Sequence, residues 1–200
     1  MKLLMVGASP YARKVRVFAA ERGLHDSLEI VISNPHVRPP ELVAENPLSK
    51  VPTLIAEDGT AHIDSLAICL YLDSLGSAPP LVPAGGAERW AVLQRHALGH
   101  GVMDCAVFRR VESLLPPEKD RLATMEKHYQ TTVRVLDRFE GAMVPEPGKV
   151  ALDTLTLACA LSYIDFRHPG DNWRDNRPRL SAWHAEFARR PSMQSTEFFL

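Results

Sequence analysis

The sequence predicts an α/β unit of order βαβαββα followed by an all-helical unit. Three observations carry this. Up to Leu75, short apolar runs alternate with helix-patterned segments and turn-forming clusters. Residues 76–86 then break the composition with three prolines (Pro79, Pro80, Pro83) and three glycines, as an interdomain linker does. Everything beyond is helical in period. The expected units are therefore residues 1–76 and 87–200, joined by a linker at 77–86.

The chain opens on an apolar run, Leu3-Leu4-Met5-Val6, that breaks at Gly7-Ala8-Ser9-Pro10. A helical segment follows over residues 11–21, with Pro10 near the first helical position, where proline is favoured. Strand, tight turn and helix place Ser9 at a helix amino end. Ser commonly caps such an end. The same spot carries unpaired N–H groups and partial positive charge, so an anion is stabilised there and a hydroxyl can donate to it. Both readings of Ser9 stand at this point: a cap, and a holder of an oxyanion or thiolate.

Residues 28–32 (Leu-Glu-Ile-Val-Ile) form a second, β-rich run. Strand, helix and strand make a βαβ unit whose two strands run parallel. A loop at 34–40 leads through Pro39-Pro40 into a short helix at 41–45. Asn46-Pro47 ends that helix, because the residue before proline avoids the helical region. Residues 50–55 form a strand entered through Pro52, Glu57-Asp58-Gly59-Thr60 a hairpin turn, and Ala61-His62-Ile63 the returning strand. Asp64-Ser65 caps a helix bearing Leu66, Ile68, Cys69, Leu70 and Leu72. Beyond the linker, helices are expected at 87–115, at 118–143 after Pro116-Pro117, at 153–166 and at 179–189. The third of these is apolar nearly all round, the pattern of a buried central helix.

Composition excludes several classes. The chain has 23 basic and 24 acidic residues for a net charge of −1, with 46% hydrophobic and 24% charged residues. This is an ordinary globular balance, with no basic run to attract nucleic acid. No apolar segment nears the roughly 20 residues that span a bilayer, and the amino-terminal run is too short for a signal core. Cys69, Cys105 and Cys159 are odd in number and widely spaced, which fits neither a disulfide framework nor a zinc site and points to the reducing cytoplasm. His96, His100 and Asp104 recur at helical spacing, but Ala97 stands where an HExxH motif needs glutamate. No metal is expected.

Four motifs in order carry a resemblance. Ser9-Pro10-Tyr11-Ala12-Arg13-Lys14-Val15 begins the first helix. Residues 46–54 read Asn-Pro-Leu-Ser-Lys-Val-Pro-Thr-Leu and residues 64–68 Asp-Ser-Leu-Ala-Ile. The helix ending Tyr163-Ile164-Asp165-Phe166-Arg167, with the later Trp173 and Arg177-Pro178-Arg179-Leu180-Ser181-Ala182-Trp183, completes the set. Together they resemble the glutathione transferase family, specifically its bacterial serine-type, YibF-like members, over essentially the whole chain.

The resemblance implies a thioredoxin-like first domain, a helical-bundle second domain, a homodimer and glutathione as co-substrate. It implies a cis peptide before Pro52, turning the Val51 backbone outward to pair with the cysteinyl part of the ligand. Ser65 would meet the γ-glutamyl carboxylate. Asp64, where the family more often has Glu, is either a helix-end charge or a partner for the ligand's ammonium. Lys50 and His36 are candidates for the glycyl carboxylate. Ser9 would donate to the sulfur and favour the thiolate, which then attacks an electrophile. Tyr11, Met103, Asp104, Val107 and Phe108 are the expected lining of the second-substrate site, in a cleft against the helical domain.

One departure stands out. The family's central bundle helix opens with a Ser/Thr-x-x-Asp capping box, whereas here the matching positions are Ala151 and Thr154. The reciprocal cap cannot form as written, and Asp153 is expected to cap one or two residues later, shifting the helix start. Two further functions remain open: a glutathione-binding regulatory or stress protein with little turnover, and a glutathione-dependent isomerase, lyase or peroxidase.

Overall fold

A computed structural model describes residues 1–200. The chain divides into two compact units, one of Met1–Ala84 with Pro191–Leu200 and one of Gly85–Arg190.

In the first unit, β1 (Lys2–Met5), β2 (Glu29–Ile32), β3 (Thr53–Ile55) and β4 (Ala61–Ile63) form one sheet in the order β2-β1-β3-β4. β1 pairs parallel with β2 and antiparallel with β3, which pairs antiparallel with β4. The central β1 is covered on both faces, with Leu3, Leu4 and Met5 buried. This explains why its sequence is a continuous apolar run instead of an alternation. β2 lies at the edge and leaves Ile30 and Ile32 exposed. Two helices pack against each other: α1 (Pro10–Glu21), which buries Ala12, Val15, Phe18 and Ala19, and, after the short α2 (Pro40–Glu45), α3 (Ser65–Leu75), which buries Ile68, Cys69 and Leu72.

Register matters most for the site. Leu4 pairs with Thr53, and Thr53 pairs with Ile63, so these three residues form one row across the sheet. Strands neighbour each other at about 4.8 Å. Whatever follows β1, precedes β3 and follows β4 is therefore gathered along one edge.

The second unit holds α4 (Gly86–Glu112), α5 (Lys119–Arg138), α6 (Leu152–Arg167) and α7 (Pro178–Phe187). A π-helical turn, Phe139–Met143, ends α5 where a continuous helix was expected. α6 is buried along almost its whole length, from Leu152 to Leu161 without a break, as its apolar sequence predicted. α4 approaches it closely at Gly99, where a methyl group would sit 3.3 Å from the Leu157 backbone nitrogen.

Three expectations need correction. α6 starts at Leu152 with Ala151 as its cap residue, so Asp153 does not cap it and the start does not shift. Half of the reciprocal box survives. The Thr154 hydroxyl accepts from the Ala151 N–H at 2.9 Å and donates to the Ala151 carbonyl at 3.0 Å. Asp153 instead turns sideways to Arg95 of α4.

The linker is docked on the first unit: the N–H groups of Leu81 and Val82 donate to the Asp73 carboxylate at 2.9 and 3.1 Å, and both side chains are buried. The helical unit ends at Arg190, short of residue 200. Pro191 opens a last short helix, α8 (Pro191–Gln194), which α1 holds: Arg13 donates to the Met193 carbonyl at 3.0 Å and Arg16 to that of Ser195 at 3.1 Å. Beyond it, the Phe199 N–H reaches the Gly7 carbonyl at 3.4 Å.

Candidate active site

Ser9 is the N-cap of α1, with extended backbone angles and its hydroxyl oxygen accepting from the Ala12 N–H at 3.2 Å. It is 8% exposed. The capping expectation is therefore met, and it does not compete with the chemical one. A hydroxyl accepts through a lone pair and donates through its proton. With a lone pair turned to Ala12, the proton can point outward to an anion, and the helix dipole acts in the same direction.

The loop before β3 lies on the same sheet edge. The Val51–Pro52 peptide is cis, as the resemblance implied, and no backbone group of the protein pairs with the Val51 N–H or C=O. A buried side chain holds this loop. Asn46 donates to the Lys50 carbonyl and to the Thr53 hydroxyl, both at 3.0 Å, and its own oxygen accepts from the Leu48 N–H at 3.0 Å. Thr53 in turn donates to the Lys50 carbonyl at 2.9 Å. In the sequence Asn46 stands out as a helix terminator and as the first residue of the 46–54 motif. Its amide, able to donate twice and accept at once, was the available signal for a loop anchor. Val51 thereby presents a strand-like donor and acceptor to an extended peptide.

The third element is the start of α3. Asp64 caps it, one carboxylate oxygen accepting from Leu66 at 2.8 Å and Ala67 at 3.3 Å. Its φ of 70° and ψ of 128° place a non-glycine residue in a sparsely populated region, a strain of order 1–3 kcal/mol that clusters at functional sites. The Ser65 N–H is left as an unused donor of the helix end, beside its own buried hydroxyl. An anion fits there.

Ser9, Val51, Pro52, Asp64 and Ser65 thus share one edge of the sheet. Lys50 adjoins them in sequence and is exposed. His36 follows β2, in the turn Pro35–Val37, and is exposed. Tyr11 is half-buried in the first turn of α1.

The other expected lining residues lie on α4 in the second unit. Asp104 is exposed, and Val107 and Phe108 are half-buried, the Phe108 ring tilted 33° against His128 with the centroids 4.3 Å apart. Met103 is fully buried and offers no surface to a ligand. His96 is buried with Nδ1 2.9 Å from the Thr156 hydroxyl, while His100 stands 3.7 Å from Asp104. The helical spacing of these three serves packing and pairing, and no three His, Cys, Asp or Glu side chains converge as a metal site would need. Cys105 is buried 3.4 Å from His128 Nδ1. Burial, reinforced by the Asp104 charge, pushes its thiol up, so it is a poor nucleophile.

A helix-capping serine, a cis-proline loop with an unpaired backbone amide and a capped helix start thus lie along one edge of the sheet of a thioredoxin-like domain, an arrangement able to take an extended peptide and an anion. Residues 8–75 match the family model described as glutathione S-transferase, N-terminal domain. The chain is 30% identical over 200 residues to the GST-like protein YibF of Escherichia coli K12, covering 98% of each. Among solved structures, it is similar to a glutathione transferase family member from Pseudomonas fluorescens Pf-5 with bound glutathione (TM-score 0.94, 35% identity, 100% of this chain and 99% of that one). It is also similar to a glutathione S-transferase from Methylobacillus flagellatus KT with glutathione bound (TM-score 0.87, 32% identity, 99% of each). The chain belongs to the glutathione transferase family.

Proposed function

We propose that the protein binds glutathione and activates its thiol for transfer to a small electrophile. The observation that carries this reading is the doubled role open to Ser9, a cap whose hydroxyl proton is left over at the amino end of a helix. A free thiol titrates near pH 8.5, so only a few per cent is thiolate at neutrality. A hydrogen bond from Ser9 and the dipole of α1 both favour the charged form. Ser9 acts as a donor and not as a base, since its own hydroxyl is too weak an acid to stay deprotonated.

Val51 would pair with the cysteinyl backbone, Ser65 with the γ-glutamyl carboxylate, and Lys50 and His36 with the glycyl carboxylate. Asp64 caps α3 through one oxygen and would meet the ligand's ammonium with the other. The electrophile would be held by Tyr11 and, on α4, by Asp104, Val107 and Phe108. Relatives crystallised with glutathione support the co-substrate. The Pseudomonas fluorescens protein has also been solved with S-(propanoic acid)-glutathione. A carbon thioether is what thiolate attack on a carbon electrophile yields, which favours transfer over peroxide reduction. The protein is further proposed to work as a cytoplasmic homodimer, as its family resemblance implies, in detoxification of such electrophiles.

Calorimetry with glutathione, followed by turnover against a panel of halogenated and unsaturated electrophiles, tests the proposal. Binding with turnover is expected. Binding without turnover of any electrophile would favour the regulatory alternative, and no binding would overturn both.

A further inference from the structure

The carboxyl-terminal tail folds back onto the unit that carries Ser9 and meets the chain on both sides of that residue. Residues 191–200 and the turn between β1 and α1 belong to the same compact unit. The Ser9 N–H closes that turn by donating to the Val6 carbonyl at 3.1 Å, so Gly7 and Ala8 are its two central residues. Gly7 is the one the tail covers. Its carbonyl accepts from the Phe199 N–H at 3.4 Å, and a methyl group on it would overlap the Phe199 ring. Gly7 is not among the glycines with positive φ, so its backbone angles do not call for glycine. The close approach of the ring does.

On the other side of Ser9 the tail is held by α1. Arg13, one helical turn on, donates to the Met193 carbonyl, with its guanidinium 4.6 Å from the Phe198 ring centroid. Arg16 donates to the Ser195 carbonyl and stands 5.9 Å from the Phe199 ring centroid. Thr196 is fully buried, its hydroxyl donating to the Ser192 carbonyl at 2.7 Å. Phe199 itself is 44% exposed, too open for a core residue, and is set against Gly7 and Arg16.

A central glycine leaves a turn more backbone freedom than any other residue would. Ser9 directs its hydroxyl from the end of this turn, and a hydrogen bond weakens steeply with misalignment. A donor held in place stabilises an anion without reorganising, whereas a wandering one does not.

We infer that Phe199 is a positioning residue for thiol activation: packed on Gly7, it fixes the turn from which the Ser9 hydroxyl donates to the glutathione sulfur. The inference rests on the transferase reading above and adds the tail to its machinery. Phe199 acts through Ser9 and needs no contact with the sulfur.

Ultraviolet titration of bound glutathione in four full-length proteins tests this: unaltered, Phe199→Ala, Ser9→Ala and the double variant. Phe199→Ala should raise the bound thiol pKa by about half or more of the rise that Ser9→Ala produces. Phe199→Tyr keeps a ring on Gly7 and should restore the unaltered value. In the Ser9→Ala background Phe199→Ala should add nothing, because the hydroxyl it positions is gone. A merely structural tail would lower the thermal midpoint and leave the bound pKa alone. An unchanged pKa in Phe199→Ala, or an equal rise in both Ser9 backgrounds, would overturn the positioning role and leave Ser9 as the donor. No rise in Ser9→Ala would overturn the reading of Ser9 and this inference with it. If Phe199→Ala does not fold, Phe199→Leu is titrated in its place on the same criteria.

Discussion

At Ser9 a single oxygen serves structure and chemistry together, and the two can be separated by substitution. Aspartate caps a helix as well as serine does, but it places a negative charge where the thiolate should form. Ser9→Asp is therefore expected to unfold within about 0.5 kcal/mol of the unaltered protein in urea while raising the bound thiol's pKa above that of free glutathione. If the variant bound glutathione as thiolate equally well, the sulfur would not lie at this position. The capping half of this account was legible in the sequence, because Ser-Pro before a helical run marks an N-terminus. Asp64 was legible in the same way as a cap. Its positive φ was not, since the chain path from β4 into α3 sets that angle and residue type does not reveal it. Asn46 was under-read for a related reason: its three bonds run to a loop whose course depends on the cis Val51–Pro52 peptide.

At the scale of elements, α6 shows how burial and local signals divide the work. Its all-round apolar character predicted a central helix, and the helix forms there. Its first turn was misjudged because the partner of Asp153 is on another helix: the carboxylate is 3% exposed and meets Arg95 Nε at 2.5 Å. Arg95→Ala leaves that buried charge uncompensated and is expected to lower stability by about 3 kcal/mol in urea. A loss under about 0.5 kcal/mol would mean the pair is as weak as an exposed one.

The other end of α6 carries a pH dependence. Burial pushes the Asp165 carboxyl up, but hydrogen bonds from Arg174 at 2.6 and 2.7 Å and from Trp173 Nε1 at 2.8 Å outweigh it, so the net shift is downward. A carboxyl held lower in the folded state stabilises the protein above its unfolded value, near pH 4, and loses that contribution as pH falls through the folded value. Asp165→Asn should cost about 1 kcal/mol at pH 7 and make stability less steep in pH below about 4. Equal acid slopes in the two proteins would contradict this.

Over the whole molecule, composition and period change sharply at residues 76–86, which is why two units, 1–76 and 87–200, are expected from the sequence; the compact units are Met1–Ala84 with Pro191–Leu200, and Gly85–Arg190. The sequence pattern does not show the return of residues 191–200 to the first unit. That return is made by arginine side chains on backbone carbonyls and by a ring packed on a glycine, and neither leaves a periodic trace. A methyl group on Gly7 would fall 2.4 Å from the Phe199 ring. Gly7→Ala should therefore displace the tail and lower the thermal midpoint by a few degrees, about 1 kcal/mol of overpacking. The loss should shrink in a Phe199→Ala background, which a double-mutant cycle reads directly. Additive losses would mean that the ring and the glycine do not meet in solution.

The same return sets the tail's last aromatic residues beside the turn that bears Ser9, with the Arg13 guanidinium 4.6 Å from the Phe198 ring centroid. The central claim concerns that turn. Ultraviolet titration of the thiolate absorbance of bound glutathione, in the unaltered protein and in Ser9→Ala, tests it most directly. The account predicts a bound thiol pKa at least about one unit below the free value near 8.5, returning most of the way toward it when the hydroxyl is removed. Identical bound pKa values with and without Ser9 would contradict it.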